Sequence, residues 1–162
     1  MYQALRPSRS EFVPVRHLNY HLRLWGEPSA ARPPLVMMHG WMDVAASWQF
    51  VVDALAEDRF VVAADWRGFG LTDGGQVDNY WMPDYLADLD WLLDHFAGDV
   101  PVDLVGHSMG GNVVMQYAGV RPQRVRRLVN LEGFGMPALK PEQAPGRFGK
   151  WIDEIKRLHD GT

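Results

Sequence analysis

The stretch LVGHSMGG, residues 104–111, carries a Gly-x-Ser-x-Gly motif with Ser108 at its centre. Residues 102–105, Val-Asp-Leu-Val, are predicted as a strand, and residues 109–119 have the spacing of a helix. A serine on so sharp a turn needs glycines beside it, because side chains there would collide with the strand and the helix. This context predicts that Ser108 lifts its Oγ above the sheet as a nucleophile. The alternative is a serine that caps a glycine-rich helix start.

Strands and helices alternate along the rest of the chain. Short apolar runs predict buried strands, and apolar residues at helical spacing predict amphipathic helices between them. The predicted strands are two within 11–25 and one each at 35–38, 59–64, 102–105 and 125–131, and the predicted helices are 45–56, 84–96 and 109–119. This alternation predicts an α/β fold, a mainly parallel sheet with helices on both faces.

The sequence becomes richer in proline from residue 136. Prolines at 137, 141 and 145 precede a run whose apolar residues share one helical face. These residues are Phe148, Trp151, Ile152, Ile155 and Leu158. We expect residues 1–135 to form the core of the fold and residues 136–162 to begin a helical cap over the sheet.

Composition narrows the classes of function. The 162 residues are 47% hydrophobic and 22% charged, as in ordinary globular proteins, and the net charge is −4. Because the basic residues form no long run, nucleic acid is not an expected partner. The absence of cysteine excludes a disulfide scaffold and a cysteine nucleophile. With no long apolar segment and no signal-like N-terminus, we expect a cytoplasmic protein without a membrane partner.

Metal and cofactor sites are not predicted. His17 and His21 are four residues apart, but in a strand this spacing does not place them as ligands on one helix face. The run 68–70 lacks the third glycine of a dinucleotide-binding turn. Four aspartates of the helix 84–96 are expected on its solvated face; they are Asp84, Asp88, Asp90 and Asp94.

A second segment, His39-Gly40-Trp41, directly follows the predicted strand 35–38. Acyl transfer places negative charge on the former carbonyl oxygen, and preorganised backbone N–H groups stabilise that charge. We expect the amides of Trp41 and Met109 to form this oxyanion hole. The side chains of these two residues would either line a pocket or pack against the core.

Four motifs, in the order found here, resemble the α/β-hydrolase superfamily. They are MMHGWMD at 37–43, ADWRGFGLTD at 64–73, LVGHSMGG at 104–111 and RPQRVRRLVNLEGFG at 121–135. The run from HGWMD through Trp48 is most similar to the serine-hydrolase-like branch. The resemblance implies that the loop after the fourth strand is shaped by Asp65, Arg67, Gly68 and Gly70.

The identity of residue 108 as serine, and not aspartate, restricts the type of reaction that is expected. Haloalkane dehalogenases and epoxide hydrolases of the superfamily carry aspartate at this place, so Ser108 favours acyl chemistry instead. The expected substrate is a small molecule with a carboxylic ester, thioester, amide or activated carbon–carbon bond.

The base and the acid depart from the family pattern. The resemblance implies the order nucleophile, acid, then a histidine after the last strand. No histidine fills that place: five precede Ser108, and His159 lies on the predicted cap helix. Glu132, at the end of the strand 125–131, is the candidate acid, as in one branch of the related dehalogenases. The alternatives for Glu132 are an ion pair with an arginine such as Arg126 or a place in the pocket lining.

We therefore expect the N-terminal portion of a serine hydrolase, inactive by itself. Sequence beyond residue 162 would supply the histidine, and a second chain or the C-terminal half of the protein would complete the sheet beside 125–131. A non-catalytic module that binds a small molecule or protein on an incomplete scaffold is the alternative. A lyase or peroxidase activity on the same scaffold is a third interpretation.

Overall fold

The computed structural model describes residues 2–74, 80–135, 138 and 140–159, without the side chains of Leu158 and His159. Within these residues six strands form one sheet in the order β1-β2-β4-β3-β5-β6. The strands are β1 (Arg9–Val15), β2 (Leu18–Trp25), β3 (Leu35–Met38), β4 (Val61–Ala64), β5 (Val102–His107) and β6 (Val125–Leu131). The helices are α1 (Gln49–Asp53), α2 (Met82–Ala97), α3 (Met109–Val120) and α4 (Ala144–His159).

The sheet is mainly parallel, which confirms the predicted fold class. β1 and β2 form an antiparallel hairpin, and β2 pairs antiparallel with β4. β4, β3, β5 and β6 run parallel to one another. Met38 pairs with Ala64 on one side and with Gly106 on the other, so the three central strands reach the same edge together. The loops that leave these strands therefore meet at one end of the sheet.

Apolar clusters cover both faces of the sheet. Alternate residues of one strand point to opposite faces, so Val62 and Ala64 belong to one cluster while Val61 and Ala63 belong to the other. The first cluster includes the buried faces of α2 and α3. The second includes Val52 of α1 and Trp48, which directly precedes that helix. Helices on both faces bury these strands, as the apolar runs predicted.

The helix predicted at 45–56 is shorter than expected. It consists of a 3₁₀ turn at Ala45–Trp48 followed by α1, which ends at Asp53. The apolar spacing of residues 45–56 predicts one buried face that includes Trp48, Val51 and Val52. In the structure Val52 is buried, whereas Val51 is 40% exposed. The prediction for Val51 was wrong, because the 3₁₀ turn and the short α1 do not form the continuous helix on which that face depends.

Asp88 of α2 is also not on a solvated face, contrary to prediction. Its carboxylate is completely buried and accepts hydrogen bonds from Nε and Nη2 of Arg67, at 2.6 and 2.8 Å. The Tyr20 hydroxyl donates a third bond, at 2.5 Å. A buried charge requires partners of this kind, and the loop after β4 delivers Arg67 under the helix.

The region predicted as the start of a cap contains helix α4, whose apolar face is exposed. Phe148 is 65% exposed and Trp151 50% exposed. The division into a core at 1–135 and a cap from 136 stays a prediction, and the residues at 136, 137 and 139 lie outside those described. Of the helices in the described ranges, none is both long and apolar enough to span a bilayer.

Candidate active site

Ser108 lies between the last residue of β5 and the first residue of α3. Its backbone has φ 50° and ψ −114°, and its side chain makes no cap hydrogen bond to α3. A capping serine has extended backbone angles and accepts a bond from the second or third helical N–H. Ser108 has neither feature, and it is only half-buried. The geometry is thus that of a sharp strand-to-helix turn that leaves the hydroxyl accessible.

Glycines make this turn possible. A Cβ on Gly106 would lie 2.6 Å from the carbonyl carbon of Gly110, inside any allowed contact. A Cβ on Gly110 would lie 2.5 Å from the carbonyl oxygen of His39 and would overlap that of Met38. The start of α3 therefore packs directly on the backbone at the ends of β5 and β3. This close packing explains why the motif requires glycine on both sides of Ser108.

The segment that follows β3 lies against this turn. A Cβ on Gly40 would lie 3.1 Å from the Cβ of Ser108, which places the 39–41 backbone beside the hydroxyl. The N–H of Met109 is the first of α3, and such N–H groups have no partner within the helix. The Met109 side chain packs against the core. Trp41 is 62% exposed, and its ring meets Phe69 edge-on at 5.4 Å.

His39 holds that segment in place. Its Nδ1 contacts the carbonyl oxygen of Gly40 at 2.7 Å, and its Nε2 accepts the Trp66 N–H at 2.9 Å. Nδ1 must therefore carry the proton and donate it to Gly40. Burial lowers the pKa of the His39 imidazole, which favours this neutral form. Both ring nitrogens are used, so His39 acts as a positioning residue.

Glu132 follows β6 in a loop that is tied to the same turn. Ser108 donates its N–H to the carbonyl oxygen of Leu131 at 2.9 Å. The Asn130 side chain forms two hydrogen bonds with the backbone of Gly133, across the intervening Glu132. Its Nδ2 donates to the Gly133 carbonyl, and its Oδ1 accepts the Gly133 N–H, both at 2.7 Å. A Cβ on Gly111 would lie 2.8 Å from Gly133 Cα, so α3 packs on this loop. Glu132 is exposed, with φ 57°.

Arg126 is not the partner of Glu132. Its guanidinium forms two hydrogen bonds to Asp103, at 2.8 and 2.5 Å. Burial raises the pKa of Asp103, but the bonds from Arg126 and Arg59 outweigh it, and the net shift is downward. Across the described part of the chain, Glu132 has no ion pair, which removes one of its alternative roles.

The histidines do not supply a base to Ser108 within the described side chains. No imidazole nitrogen there is hydrogen-bonded to its Oγ, and the side chain of His159 lies outside this description. His107 is exposed beside the turn, and His17 is exposed in the β1–β2 connection. In the loop after β4, the Asp65 carboxylate accepts the Leu71 N–H at 2.9 Å, so Asp65 helps to shape this loop.

Sequence reasoning missed two positioning residues of this site. The first is His39, whose two ring contacts join segments that are 27 residues apart. The second is Asn130, which is hydrogen-bonded to Gly133. An Asn-x-x-Gly spacing within the motif at 121–135 indicates this pair in the sequence.

Comparison with known proteins identifies relatives across most of the chain. A family model described as the alpha/beta hydrolase fold matches residues 33–158. A serine hydrolase-like protein of Danio rerio is 34% identical over 134 residues, which are 81% of this chain and 40% of the relative. A 2-hydroxymuconate semialdehyde hydrolase of Pseudomonas sp. (strain CF600) is 33% identical over 141 residues, 82% of this chain and 48% of the relative.

The fold also matches solved structures. A thioesterase domain from the curacin biosynthetic pathway superimposes with a TM-score of 0.79 and 27% identity, over 92% of this chain and 52% of that chain. The chain thus spans about half of the matched thioesterase domain and 40% and 48% of the length of the two relatives.

Proposed function

The chain belongs to the α/β-hydrolase family, and from this premise we propose that it is part of a serine hydrolase whose nucleophile is Ser108. The substrate is a small molecule with an ester, thioester, amide or activated carbon–carbon bond, because a serine nucleophile acts on acyl carbon. We further propose a cytoplasmic location for this reaction.

The observation that carries the proposal is the backbone of Ser108. A non-glycine residue at φ 50° is strained, and three glycines of the 104–111 motif pack closely enough to hold it there. Strain of this kind persists where the surrounding structure over-determines it, and it is common at active sites. It leaves the hydroxyl of Ser108 accessible instead of engaged with the helix.

We propose the following roles for the residues of this site. Ser108 Oγ attacks the acyl carbon, and the amides of Trp41 and Met109 stabilise the resulting oxyanion. Each such donor contributes roughly a hundred- to a thousandfold in rate. Glu132, held beside the turn by Asn130, is proposed as the acid that orients and stabilises the protonated base.

The base is proposed to lie outside these 162 residues. Two observations support this: the described side chains place no imidazole on Ser108, and the chain spans less than half of its two relatives. By itself the chain is then expected to be inactive at Ser108, because the hydroxyl of Ser108 stays protonated without a base.

A fluorophosphonate probe, followed by mass spectrometry of the peptide that contains Ser108, tests this proposal. We expect labelling of Ser108 in the complete protein and almost none in the 162-residue chain. Removing the base alone from a comparable triad costs on the order of a millionfold in turnover. The Ser108→Ala variant is the control for labelling at other residues.

Two outcomes contradict the proposal. Labelling of Ser108 at equal rates in both forms would mean that a base lies within the chain, and His159 would be the first candidate. A complete protein that leaves Ser108 unlabelled would favour the non-catalytic binding module.

A further inference from the structure

A second chain of serine, histidine and aspartate lies on the β1–β2 hairpin. Ser10 Oγ is 3.0 Å from His21 Nε2, and His21 Nδ1 is 2.8 Å from Asp65 Oδ2. Ser10 belongs to β1, which lies four strand positions from β5 in the sheet. At about 4.8 Å per strand, this separates Ser10 from Ser108 by roughly 19 Å. The cluster is therefore separate from the site described above.

The hydrogen-bond pattern fixes where the proton on His21 lies. The Asp65 carboxylate accepts two backbone N–H groups, from Ala45 at 2.6 Å and from Leu71 at 2.9 Å. A carboxylate held by such donors is an acceptor for His21 as well, so Nδ1 carries the proton. In the neutral imidazole Nε2 is then the lone-pair nitrogen, and the Ser10 hydroxyl donates to it. This is the order of a nucleophile, a general base and an orienting acid.

The base and the acid of this cluster are buried, whereas the serine hydroxyl is accessible to a substrate. His21 is 2% exposed and Asp65 is equally buried, so water does not compete for the Nδ1 contact. Ser10 is exposed at the surface of the outer strand β1. The ring of Phe12 is 49% exposed and lies 5.0 Å from that of His21, so it offers an apolar surface next to the hydroxyl.

We propose that Ser10 is a second acyl-accepting nucleophile, activated by His21 and Asp65, for small activated acyl donors such as aryl esters. An activated donor is required because Ser10 lies within a strand instead of at a helix N-terminus. The loss of one oxyanion donor costs roughly a hundred- to a thousandfold in rate. A phenolate leaving group offsets that loss through its own stability.

The reaction at Ser10 exchanges the aryl ester for an ester of the serine. Ser10 Oγ forms a bond to the ester carbonyl carbon while its proton passes to His21 Nε2. The bond from that carbon to the aryl oxygen breaks, and His21 returns the proton to the departing phenolate. The products are a phenol and acyl-Ser10. Water then attacks acyl-Ser10 with His21 again as base, which releases the carboxylic acid and restores the hydroxyl. This step is slower than acylation, because the serine alkoxide is a poorer leaving group than a phenolate, so acyl-Ser10 accumulates.

The test treats the full 162-residue chain with 4-nitrophenyl acetate and measures acetylation of the tryptic peptide 10–16 by mass spectrometry. We expect acetyl-Ser10 in the wild type and in Ser108→Ala, which separates this site from the proposed hydrolase nucleophile. Ser10→Ala should remove the modification of this peptide. His21→Gln should slow it by roughly a hundred- to ten-thousandfold, the usual contribution of a general base.

Ser8 is the matched control, because its Oγ accepts a bond from Arg23 Nη1 at 2.9 Å and has no imidazole partner. The Ser8 hydroxyl, located by fragmentation within peptide 1–9, should stay unmodified, and Ser8→Ala should leave acetylation of Ser10 unchanged. Equal acetylation of Ser8 and Ser10, or no acetyl on peptide 10–16, would overturn the proposal. So would a His21→Gln variant that folds by circular dichroism and reacts at the wild-type rate. If that variant does not fold, the comparison of Ser10 with Ser8 decides.

Discussion

At the scale of single residues, backbone strain is concentrated around the candidate active site. Met42, Ser108 and Glu132 have φ angles of 53°, 50° and 57°, in the left-handed region that side chains rarely adopt. Each such residue costs roughly 1–3 kcal/mol. All three lie in loops that follow parallel strands at one edge of the sheet. The close packing of glycines holds Ser108 in place, and the hydrogen bonds between Asn130 and Gly133 hold Glu132.

Glu132 can be tested by an isosteric change. We expect Glu132→Gln in the complete protein to lower turnover by up to about ten-thousandfold, because an amide does not stabilise a protonated imidazole as a carboxylate does. The loop should keep its shape, since Asn130 and not the carboxylate holds it. Steady-state kinetics would measure the loss, with the exposed Glu142→Gln as the control. A decrease below about tenfold would place the acid elsewhere.

Local pattern was sufficient for some features of the site. The apolar run 35–38 predicted β3 with its observed bounds, and the Gly-x-Ser-x-Gly motif placed Ser108 between a strand and a helix. The residues that form these signals lie within a few positions of one another in the chain. Local sequence alone is therefore enough to predict them.

Other features depend on partners that are distant in the chain. Asp88 looked solvated because it shares the helix with three other aspartates, but its partner Arg67 lies 21 residues earlier, on a loop. The contacts of His39 with Trp66 and of His21 with Asp65 likewise join segments that are 27 and 44 residues apart. No helical or strand periodicity encodes these pairs, because tertiary packing alone brings them together.

At the scale of elements, the contact between α3 and β3 is set by Gly110. We expect Gly110→Ala to destabilise the fold by about 1–3 kcal/mol, because its Cβ would overlap backbone atoms of Met38 and His39 that cannot rotate away. Relief would push α3 from β3 and separate Ser108 from the 39–41 segment. Chemical denaturation would measure the change in the free energy of unfolding.

Gly119 of the same helix is the matched control for Gly110. A Cβ there would meet no atom within 4 Å, so Gly119→Ala should leave stability unchanged or raise it by up to about 1 kcal/mol through helix propensity. Equal effects at the two glycines would show that the close approach of α3 to β3 is not the cause.

At the scale of the whole molecule, the β6 edge and the apolar face of α4 are exposed among the residues that the structure describes. β6 is the outer strand of the described sheet, and its Leu128, Val129 and Leu131 are between 37% and 47% exposed. The apolar face of α4 is the second surface, as the exposure of Phe148 shows. An outer strand that is apolar as well as unpaired is a template for another chain. We propose that further polypeptide, either the rest of the protein or a second chain, covers the β6 edge.

This proposal predicts how the 162-residue chain behaves without that polypeptide. We expect it to self-associate and to be poorly soluble, because unpaired N–H and C=O groups beside apolar side chains favour strand addition. Val129→Lys should reduce the association, since a charge on an outer strand opposes edge-to-edge pairing. Val100→Lys adds the same charge at a valine that is 54% exposed but lies before β5, and it should have little effect. Sedimentation velocity and native mass spectrometry would measure both variants against the wild type. A monodisperse 18.4 kDa monomer that is soluble and unfolds cooperatively would contradict the proposal, because the β6 edge would then need no cover.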